Sequence, residues 1–334
     1  MSASYSVRQP AFARVDGLAA VPDSVRGGVV AIGNFDGVHR GHQSVLSVAV
    51  EQAGALGAPA VAMTFEPHPR VVFRPDVPLF RLTPAPAKAR VVEAAGLNGI
   101  VIVPFDRDFA GQTAETFVSD ILVGALGARH VVVGYNFHFG KGRAGSPSFL
   151  EDAGKRHGFG VTIVPAFGDE GGEGISSSRI RAALEQGDVT EAAALLGYRW
   201  FVEAEIVHGD KRGRTLGYPT ANMKLPEDCG LAHGIYAVKI RIGGVMHDGV
   251  ASYGRRPTFG DGIPLLEVFV FYFKGDIYGE IVDVAFVSYL RGEQKFDSAE
   301  ALIEQMDRDS EEARAAIAAM QPLSPLDLAL TFSG

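Results

Sequence analysis

The sequence predicts an α/β fold in two parts: a doubly wound parallel sheet, followed by a small β-barrel with a terminal helix. Between residues 28 and 167, short β-branched runs alternate with segments of helical spacing. After residue 198, strand-like runs follow one another without intervening helices. The chain has 334 residues, 47% of them hydrophobic, which is enough to fill two cores. We therefore expect domains at 1–187 and 188–324, with a C-terminal tail at 325–334.

The first domain shows strands that are apolar throughout, as in a parallel sheet covered by helices on both faces. The predicted strands are GVVAI, PAVAMTF, GIVIVPF, HVVVGYNF and VTIVPAF. The predicted helices are QSVLSVAVEQAGAL, APAKARVVEAAGL and AETFVSDILVGAL. Ligands of such sheets bind beyond the carboxyl ends of the strands. The unusual segments that follow the strands should therefore meet at one edge: GNFDGVHRGH, EPHPR, PFDRDFAGQT and NFHFGKGRAG.

The second part begins after a helical segment, RIRAALEQGDVTEAAALLG. Its predicted strands lie in WFVEAEIVHG, GIYAVKIRIGGVMHDGVASYG, PLLEVFVFYF and EIVDVAFVSYL, and Gly243-Gly244 can form a tight hairpin turn. In the terminal helix, Asp297 and Glu300 have the spacing of a capping box. The Pro-rich stretch 75–86 is predicted to be a surface loop.

Composition narrows the class of partner. The formal net charge of −8 argues against a broad electrostatic surface for nucleic acid, so an anionic substrate must be held by local positive groups. The single cysteine, Cys229, excludes a disulfide framework and a Cys-based zinc site. Because no stretch reaches the ~18 apolar residues of a membrane span, we expect a cytoplasmic protein without a membrane partner.

The segment GNFDGVHRGH has the pattern of a strand, a glycine turn and a helix start. Backbone N–H groups near Gly41 and His42 are free to meet an anion there, and the helix dipole adds a favourable field. His39 and His42, at i and i+3, can donate hydrogen bonds to the same phosphate. Two alternatives stay open: a zinc site completed by His68 or Asp36, and two surface histidines beside a turn.

A second candidate site lies in GDKRGRTLGYPTAN, residues 209–222, where three glycines and three basic residues precede Pro219. Such a loop lets the backbone approach phosphates closely, although a generic basic hairpin tip has the same composition. The spacing of a Walker A loop is absent. Glu267, in the apolar run LLEVFVFYF, is expensive to bury unless it is used chemically or paired with an arginine.

Several motifs carry a family resemblance over nearly the whole chain. His39-Arg40-Gly41-His42 resembles the HxGH signature of the nucleotidyltransferases, and Ile175 to Arg181 (ISSSRIR) resembles the ISSTxxR motif that accompanies it. GNFDGVH and FEPHP, residues 65–69, narrow the match to the bacterial bifunctional riboflavin kinase/FMN adenylyltransferases. GRTLGYPTAN, GRRPTF, LLEVFVFYF and LRGEQKF resemble the riboflavin kinase motifs of the same family.

The resemblance implies a Rossmann-like nucleotidyltransferase domain followed by a β-barrel riboflavin kinase domain. Such enzymes phosphorylate riboflavin with ATP to give FMN, then transfer AMP from a second ATP to FMN, giving FAD and pyrophosphate. It also implies Mg²⁺ as cofactor, and riboflavin, FMN and ATP as the molecules bound. A homo-oligomer is compatible with the sequence.

For the first domain, the resemblance implies that His39 and His42 contact the ATP phosphates. Ser176, Ser177 and Arg179 would hold the triphosphate from the other side; without the resemblance, SSSRIRAAL is a simple N-capped helix. The remaining candidates are Gly33, Asn34, Phe35, Asp36 and Asn136 for ATP, and Phe65, His68 and Pro69 for flavin, although a packing role is an alternative for the last three. Asn136 and His138 stand where relatives commonly have Asp and Arg. This departure motivates the alternative that the adenylyltransferase half has decayed into a flavin binder.

For the second domain, the resemblance makes Glu267 the general base that takes the proton from the ribityl 5′-hydroxyl. Thr220 and Asn222 would hold Mg²⁺ on ATP. The other implied contacts are Gly209, Lys211, Gly213, Arg214, Gly217 and Pro219 for ATP, and Arg256 and Arg291 for flavin. Phe269 and Tyr272 stand where many members have His and Asp; we still expect an active kinase.

Overall fold

A computed structural model describes residues 11–168, 174–209, 218–255 and 264–333. The chain divides into two compact units: Met1–Leu79 with Pro84–Gly174, and Phe80–Thr83 with Ile175–Gly334. This division places the helix that follows Ser176 in the second unit, whereas the expected boundary at residue 187 placed it in the first.

The first unit is built on a six-stranded, all-parallel sheet in the order β1-β4-β3-β2-β5-β6. Its strands are β1 (Ala13–Asp16), β2 (Val29–Ile32), β3 (Ala60–Glu66), β4 (Gly99–Pro104), β5 (His130–Gly134) and β6 (Gly160–Val164). The predicted parallel sheet is confirmed, but β1 was not among the predicted strands. This four-residue edge strand alternates polar and apolar residues and lacks the continuous apolar run of its neighbours.

The helices of this unit are α1 (Arg40–Leu56), α2 (Pro69–Phe73), α3 (Ala85–Ala94), α4 (Arg107–Ala110), α5 (Ala114–Thr116) and α6 (Pro147–His157). α5 continues without interruption into a π-helical segment, Phe117–Ala125. Strand β2 lies between β3 and β5, so the strand order reverses beside it. The crevice at such a reversal is where open α/β sheets bind ligands, and GNFDGVHRGH leaves β2 at that point.

The second unit contains the predicted β-barrel, which is closed and antiparallel with its strands in the order β10-β11-β8-β7-β12-β9. Its elements are α7 (Ser177–Glu185), α8 (Val189–Leu196), β7 (Phe201–Val207), β8 (Thr220–Lys224), β9 (Gly234–Ile242), β10 (Val245–Gly254), β11 (Leu265–Val270), β12 (Ile281–Arg291) and α9 (Ala299–Ala319). Gly243 and Gly244 form the predicted hairpin turn between β9 and β10, both with positive φ. Helix α9 is capped by Ser298, whose side chain accepts the N–H of Ala301, so the predicted capping box starting at Asp297 is wrong.

The prediction of a surface loop at 75–86 is also wrong for its second half. Phe80 is 8% exposed and Leu82 is 1% exposed, and both belong to the second unit. The Trp200 indole donates to the Leu82 carbonyl at 2.8 Å, and the Arg181 guanidinium donates to the Phe80 carbonyl at 2.6 Å. Prolines flank the segment, but side chains of the second unit satisfy its backbone, so it is buried.

Residues 325–333, expected to be a tail, form a short helix (Pro325–Asp327) and a π-helical turn (Leu328–Phe332). Asp327 is fully buried and paired with Arg199, which precedes β7. Asp327 also accepts hydrogen bonds from Thr331 Oγ1 and from the Leu323 N–H, both at 3.0 Å. This network anchors the C-terminal segment to the second unit. Among the described residues, no helix is long and apolar enough to cross a membrane.

Candidate active sites

The loop between β2 and α1 has an unusual backbone. Phe35, Gly37 and Val38 all have positive φ, at 47°, 87° and 39°. Such values cost a β-branched residue like Val38 free energy, so the surrounding structure must hold the loop in place. Phe35 is 1% exposed, and the Gln43 side chain donates to the Val38 carbonyl at 2.7 Å. Left-handed residues in a turn direct successive N–H groups to one side, which favours anion binding.

His39 and His42 are in direct contact at the start of α1. His39 lies at the N-cap, one residue outside the predicted helical turn, and its Nδ1 accepts the backbone N–H of His42 at 3.3 Å. The two rings stack at 3.7 Å between centroids. Gly41 permits this arrangement, because a Cβ there would lie 3.3 Å from the His39 ring. Since Nδ1 of His39 is an acceptor, the proton of its neutral ring is on Nε2.

Burial keeps both histidines neutral at pH 7. It lowers the pKa of His39 from an ordinary 6.5 to about 4, although Asp36 nearby opposes the shift. Burial also lowers the pKa of His42 well below 6.5, and the nearby positive charge of Lys88 lowers that pKa further. The pair can therefore donate hydrogen bonds to a phosphate without being cationic.

Lys88 is a residue of this site that was not predicted from the sequence. It lies on α3 and is fully buried. Its Nζ donates to the Asn34 carbonyl at 2.9 Å, to Thr64 Oγ1 at 3.1 Å and to Glu66 Oε1 at 3.2 Å. The sequence does contain an indication of its role. Val91 and Val92 follow Lys88 by three and four residues, so all three lie on the same, apolar face of α3. A charge on such a face needs buried partners.

The zinc interpretation finds no ligand set. Among the described residues, no three His, Cys, Asp or Glu side chains are grouped closely enough to hold a metal ion. His39 Nδ1 is occupied as a helix cap, and His68 caps α2 by accepting the Arg70 N–H at 3.1 Å.

The other predicted residues of the first unit occupy contrasting environments. Asn34 and Asn136 are exposed, following β2 and β5. Phe65 lies in the core, with its ring centroid 5.8 Å from those of Phe105 and Phe109. Pro69 is the first residue of α2, and Gly33 donates its N–H to the Met63 carbonyl at 3.1 Å. Phe65 thus has the packing role left open by its sequence, and its predicted contact with flavin stays a prediction.

Ser176, Ser177 and Arg179 belong to the second unit. Ser176 caps α7 by accepting the Arg179 N–H at 3.3 Å, and Ser177 is the first residue of that helix. The Arg179 guanidinium forms an ion pair with Glu191 of α8 at 2.6 Å. Both the N-capped helix and a cation at its first turn are therefore present.

A pocket of about 830 Å³ on the barrel contains the predicted kinase residues Thr220, Glu267 and Arg291. In β11, Leu266 and Val268 face the barrel interior and are fully buried, whereas Glu267 and Phe269 line the pocket. Alternation along β11 turns Glu267 away from the barrel interior, so its carboxylate is only partly buried. Glu267 lies opposite Asn222 on β8 and Ser252 on β10.

Thr220 and Asn222 are side by side on β8. The Asn222 amide donates to the Thr220 carbonyl at 3.0 Å and lies 3.4 Å from Thr220 Oγ1. Gly209 packs against this amide, since a Cβ there would lie 2.6 Å from it. A hydroxyl and an amide oxygen are hard oxygen donors, so Thr220 and Asn222 fit Mg²⁺.

Two contacts made by residues that line the pocket were not predicted. The Arg291 guanidinium donates to both carboxylate oxygens of Asp309, at 2.8 and 2.6 Å, so α9 fixes its orientation. The Tyr218 hydroxyl donates to Asp307, and burial together with this bond raises the Tyr218 pKa to about 12. The local sequence could not predict these contacts, because each joins a residue of the barrel domain's earlier segments to α9.

The predicted residues Lys211, Gly213, Arg214, Gly217 and Arg256 lie outside the described residues. Gly209 and Pro219, at the two ends of that loop, are described.

The fold and the two candidate phosphate-binding sites are those of a two-domain transferase that uses nucleotide phosphates. A family model for FAD synthetase matches residues 21–179, and one for riboflavin kinase matches residues 196–317. The chain is 39% identical over 289 residues to the bifunctional riboflavin kinase/FMN adenylyltransferase of Escherichia coli (strain K12), covering 86% of this chain and 92% of that one. The chain belongs to the family of bifunctional riboflavin kinase/FMN adenylyltransferases.

Two further matches also cover most of this chain. The bifunctional riboflavin kinase/FMN adenylyltransferase of Pseudomonas fluorescens is 40% identical over 302 residues, which cover 90% of this chain and 96% of that one. A crystal structure described as a macrolide-efflux protein from Streptococcus pneumoniae is 34% identical, with a TM-score of 0.79 over 91% of this chain and 98% of that one. The structural comparison shows a shared fold across both domains.

Proposed function

We propose that this chain makes FAD from riboflavin in two ATP-dependent steps, each at its own site. The barrel domain phosphorylates riboflavin to FMN, and the parallel-sheet domain transfers AMP from ATP to FMN. The observation that carries this conclusion is that separate riboflavin kinase and FAD synthetase family models match the two halves of one chain. The match to both halves supports two activities over a decayed adenylyltransferase half.

Adenylyl transfer at the first site needs no general base. The second pKa of a phosphate monoester is near ~6, so FMN arrives at pH 7 largely as a dianion. One of its phosphate oxygens attacks the α-phosphorus of ATP, and the bond to the pyrophosphate oxygen breaks. The protein aligns the two reactants and stabilises the charge that develops on pyrophosphate.

His39 and His42 supply that stabilisation as neutral donors. The tautomer set by the helix cap places the His39 proton on Nε2, while Nδ1 holds the first turn of α1. Gly33, Asn34, Phe35 and Asp36 are the residues of the loop after β2 that we assign to ATP. As the resemblance of their motif implies, we also assign Ser176, Ser177 and Arg179 to the triphosphate.

Phosphorylation of riboflavin requires deprotonation of an alcohol, so the kinase site needs a base. Glu267 has the chemistry and the position, because its carboxylate lines the barrel pocket across from Asn222. It takes the proton of the ribityl 5′-hydroxyl as that oxygen attacks the γ-phosphorus of ATP, and the bond from the γ-phosphorus to the bridging oxygen breaks to release ADP. Thr220 and Asn222 would hold Mg²⁺, which neutralises charge on the ATP phosphates when bound.

The proposal is tested by incubating the protein with riboflavin, ATP and Mg²⁺ and separating the flavins by chromatography over time. We expect FMN to appear first and FAD to follow, with release of pyrophosphate in the second phase. Accumulation of FMN without FAD would contradict the two-activity conclusion. Omission of Mg²⁺, with a chelator present, tests the metal assignment separately.

A further inference from the structure

Lys88 is a charged group sealed inside the first unit. Its side chain has no exposed surface, and three oxygen acceptors surround its Nζ: the Asn34 carbonyl, Thr64 Oγ1 and Glu66 Oε1. An ammonium carries three N–H donors, whereas a neutral amine carries two. The geometry therefore matches the charged form.

The three acceptors lie in the loop that follows β2 and in β3, which both lead into predicted substrate segments. Asn34 is in the loop that leaves β2 for His39, and Thr64 also donates to its carbonyl at 3.0 Å. Glu66 is the last residue of β3, next to the segment with His68. Lys88 thus ties together the carboxyl ends of neighbouring strands, at the edge where the ligand binds.

A purely structural role does not explain the charge. Taking an ammonium out of water costs several kcal/mol, and apolar residues of similar volume commonly replace buried ion pairs without loss of stability. The Lys88 charge also acts on the neighbouring His42 ring, whose pKa it lowers. The cation therefore lies within electrostatic range of His42, which we assign to the ATP phosphates.

We propose that Lys88 is a positioning residue for adenylyl transfer, which fixes the Asn34 loop against β3 and places a buried positive charge beneath the phosphate site. This inference rests on the proposed function of that site. Glu66 compensates part of the charge, so the net field at the phosphates depends on both residues of the pair.

The test compares Lys88→Gln with Glu66→Gln, using inorganic tripolyphosphate as the anion and calorimetry as the readout. Lys88→Gln removes the positive charge, and we expect tripolyphosphate affinity and kcat/KM for ATP in FAD formation to fall at least about tenfold. Glu66→Gln removes the compensating charge, and we expect tripolyphosphate affinity to rise severalfold. A merely structural lysine would make both variants weaker or leave anion affinity unchanged.

Two internal controls accompany the pair. Lys155→Gln removes an exposed lysine of the same unit, on α6, and should leave both measurements unchanged. Riboflavin phosphorylation by the barrel domain in the same samples reports the amount of active protein. If Lys88→Gln does not fold, Glu66→Gln decides alone, since an unchanged or weaker affinity overturns the proposal. Failure of the proposed function can be distinguished from failure of this inference, because the wild-type protein would then form no FAD.

Discussion

His39 Nδ1 accepts the backbone N–H of His42, and the two imidazole rings stack 3.7 Å apart. The three-residue spacing of the histidines therefore lets His39 cap the helix at the backbone of His42, in addition to bringing their side chains together. The cap fixes the tautomer of His39, and burial keeps both rings uncharged. Two neutral imidazoles with a fixed orientation can donate hydrogen bonds to phosphate during a transfer that needs no general base.

We expect His42→Ala to reduce FAD formation from FMN at least about 100-fold, because a donor to the developing charge is lost. Riboflavin phosphorylation should be unchanged, since the barrel site is separate. Both rates are measured by chromatography in one preparation. Loss of both activities would contradict the assignment of two sites.

His39→Ala should weaken the first unit as well as its activity. Loss of the cap acceptor costs about 1 kcal/mol, whereas His39→Asn keeps an acceptor at the N-cap and should retain most of that stability. Urea unfolding measures the difference. Both variants should lose FAD formation, and a fully active His39→Asn would show that only the cap matters.

The stability of the first unit should fall as the pH drops from 6.5 to 4. In this range the unfolded state protonates His39 while the folded state, with a pKa of about 4, does not. The shift corresponds to about 3 kcal/mol, fully present above pH 6.5 and lost at pH 4. Unfolding of wild type and His39→Asn at pH 7 and 4.5 isolates this contribution. Equal pH slopes in the two proteins would contradict it.

Glu267→Gln should abolish riboflavin phosphorylation, with a loss of about 100-fold or more, because an amide cannot accept the hydroxyl proton. Formation of FAD from added FMN should persist. Glu205→Gln, an exposed glutamate on β7, is the matched control. Normal kinase rates in Glu267→Gln would assign the base elsewhere.

Asp327→Ala should destabilise the second unit by about 3–5 kcal/mol, because it leaves the Arg199 charge buried without its carboxylate. Asp152→Ala, which breaks an exposed pair with Lys155, should cost less than about 1 kcal/mol. Thermal inactivation of the riboflavin kinase reports the first change. Similar midpoints for wild type and Asp327→Ala would show that the C-terminal segment is dispensable.

Local pattern predicted most of the architecture. The apolar runs around Val30 and Val132 identified buried parallel strands, and Gly243-Gly244 identified a hairpin. Errors occurred where distant residues decide the environment. Phe80 and Leu82 were assigned to a surface loop because prolines flank them, yet Arg181 and Trp200 satisfy their backbone.

The sequence by itself determined the two-domain class, the family, and the segments GNFDGVHRGH and LLEVFVFYF, because periodicity and motif spacing are properties of neighbouring residues. Only the tertiary structure decided the environment of each group. It buried Lys88 against Asn34 and Glu66, and turned Glu267 out of the barrel core into the pocket. Burial, protonation state and hydrogen-bond partners depend on segments that meet only when the sheet and the barrel close.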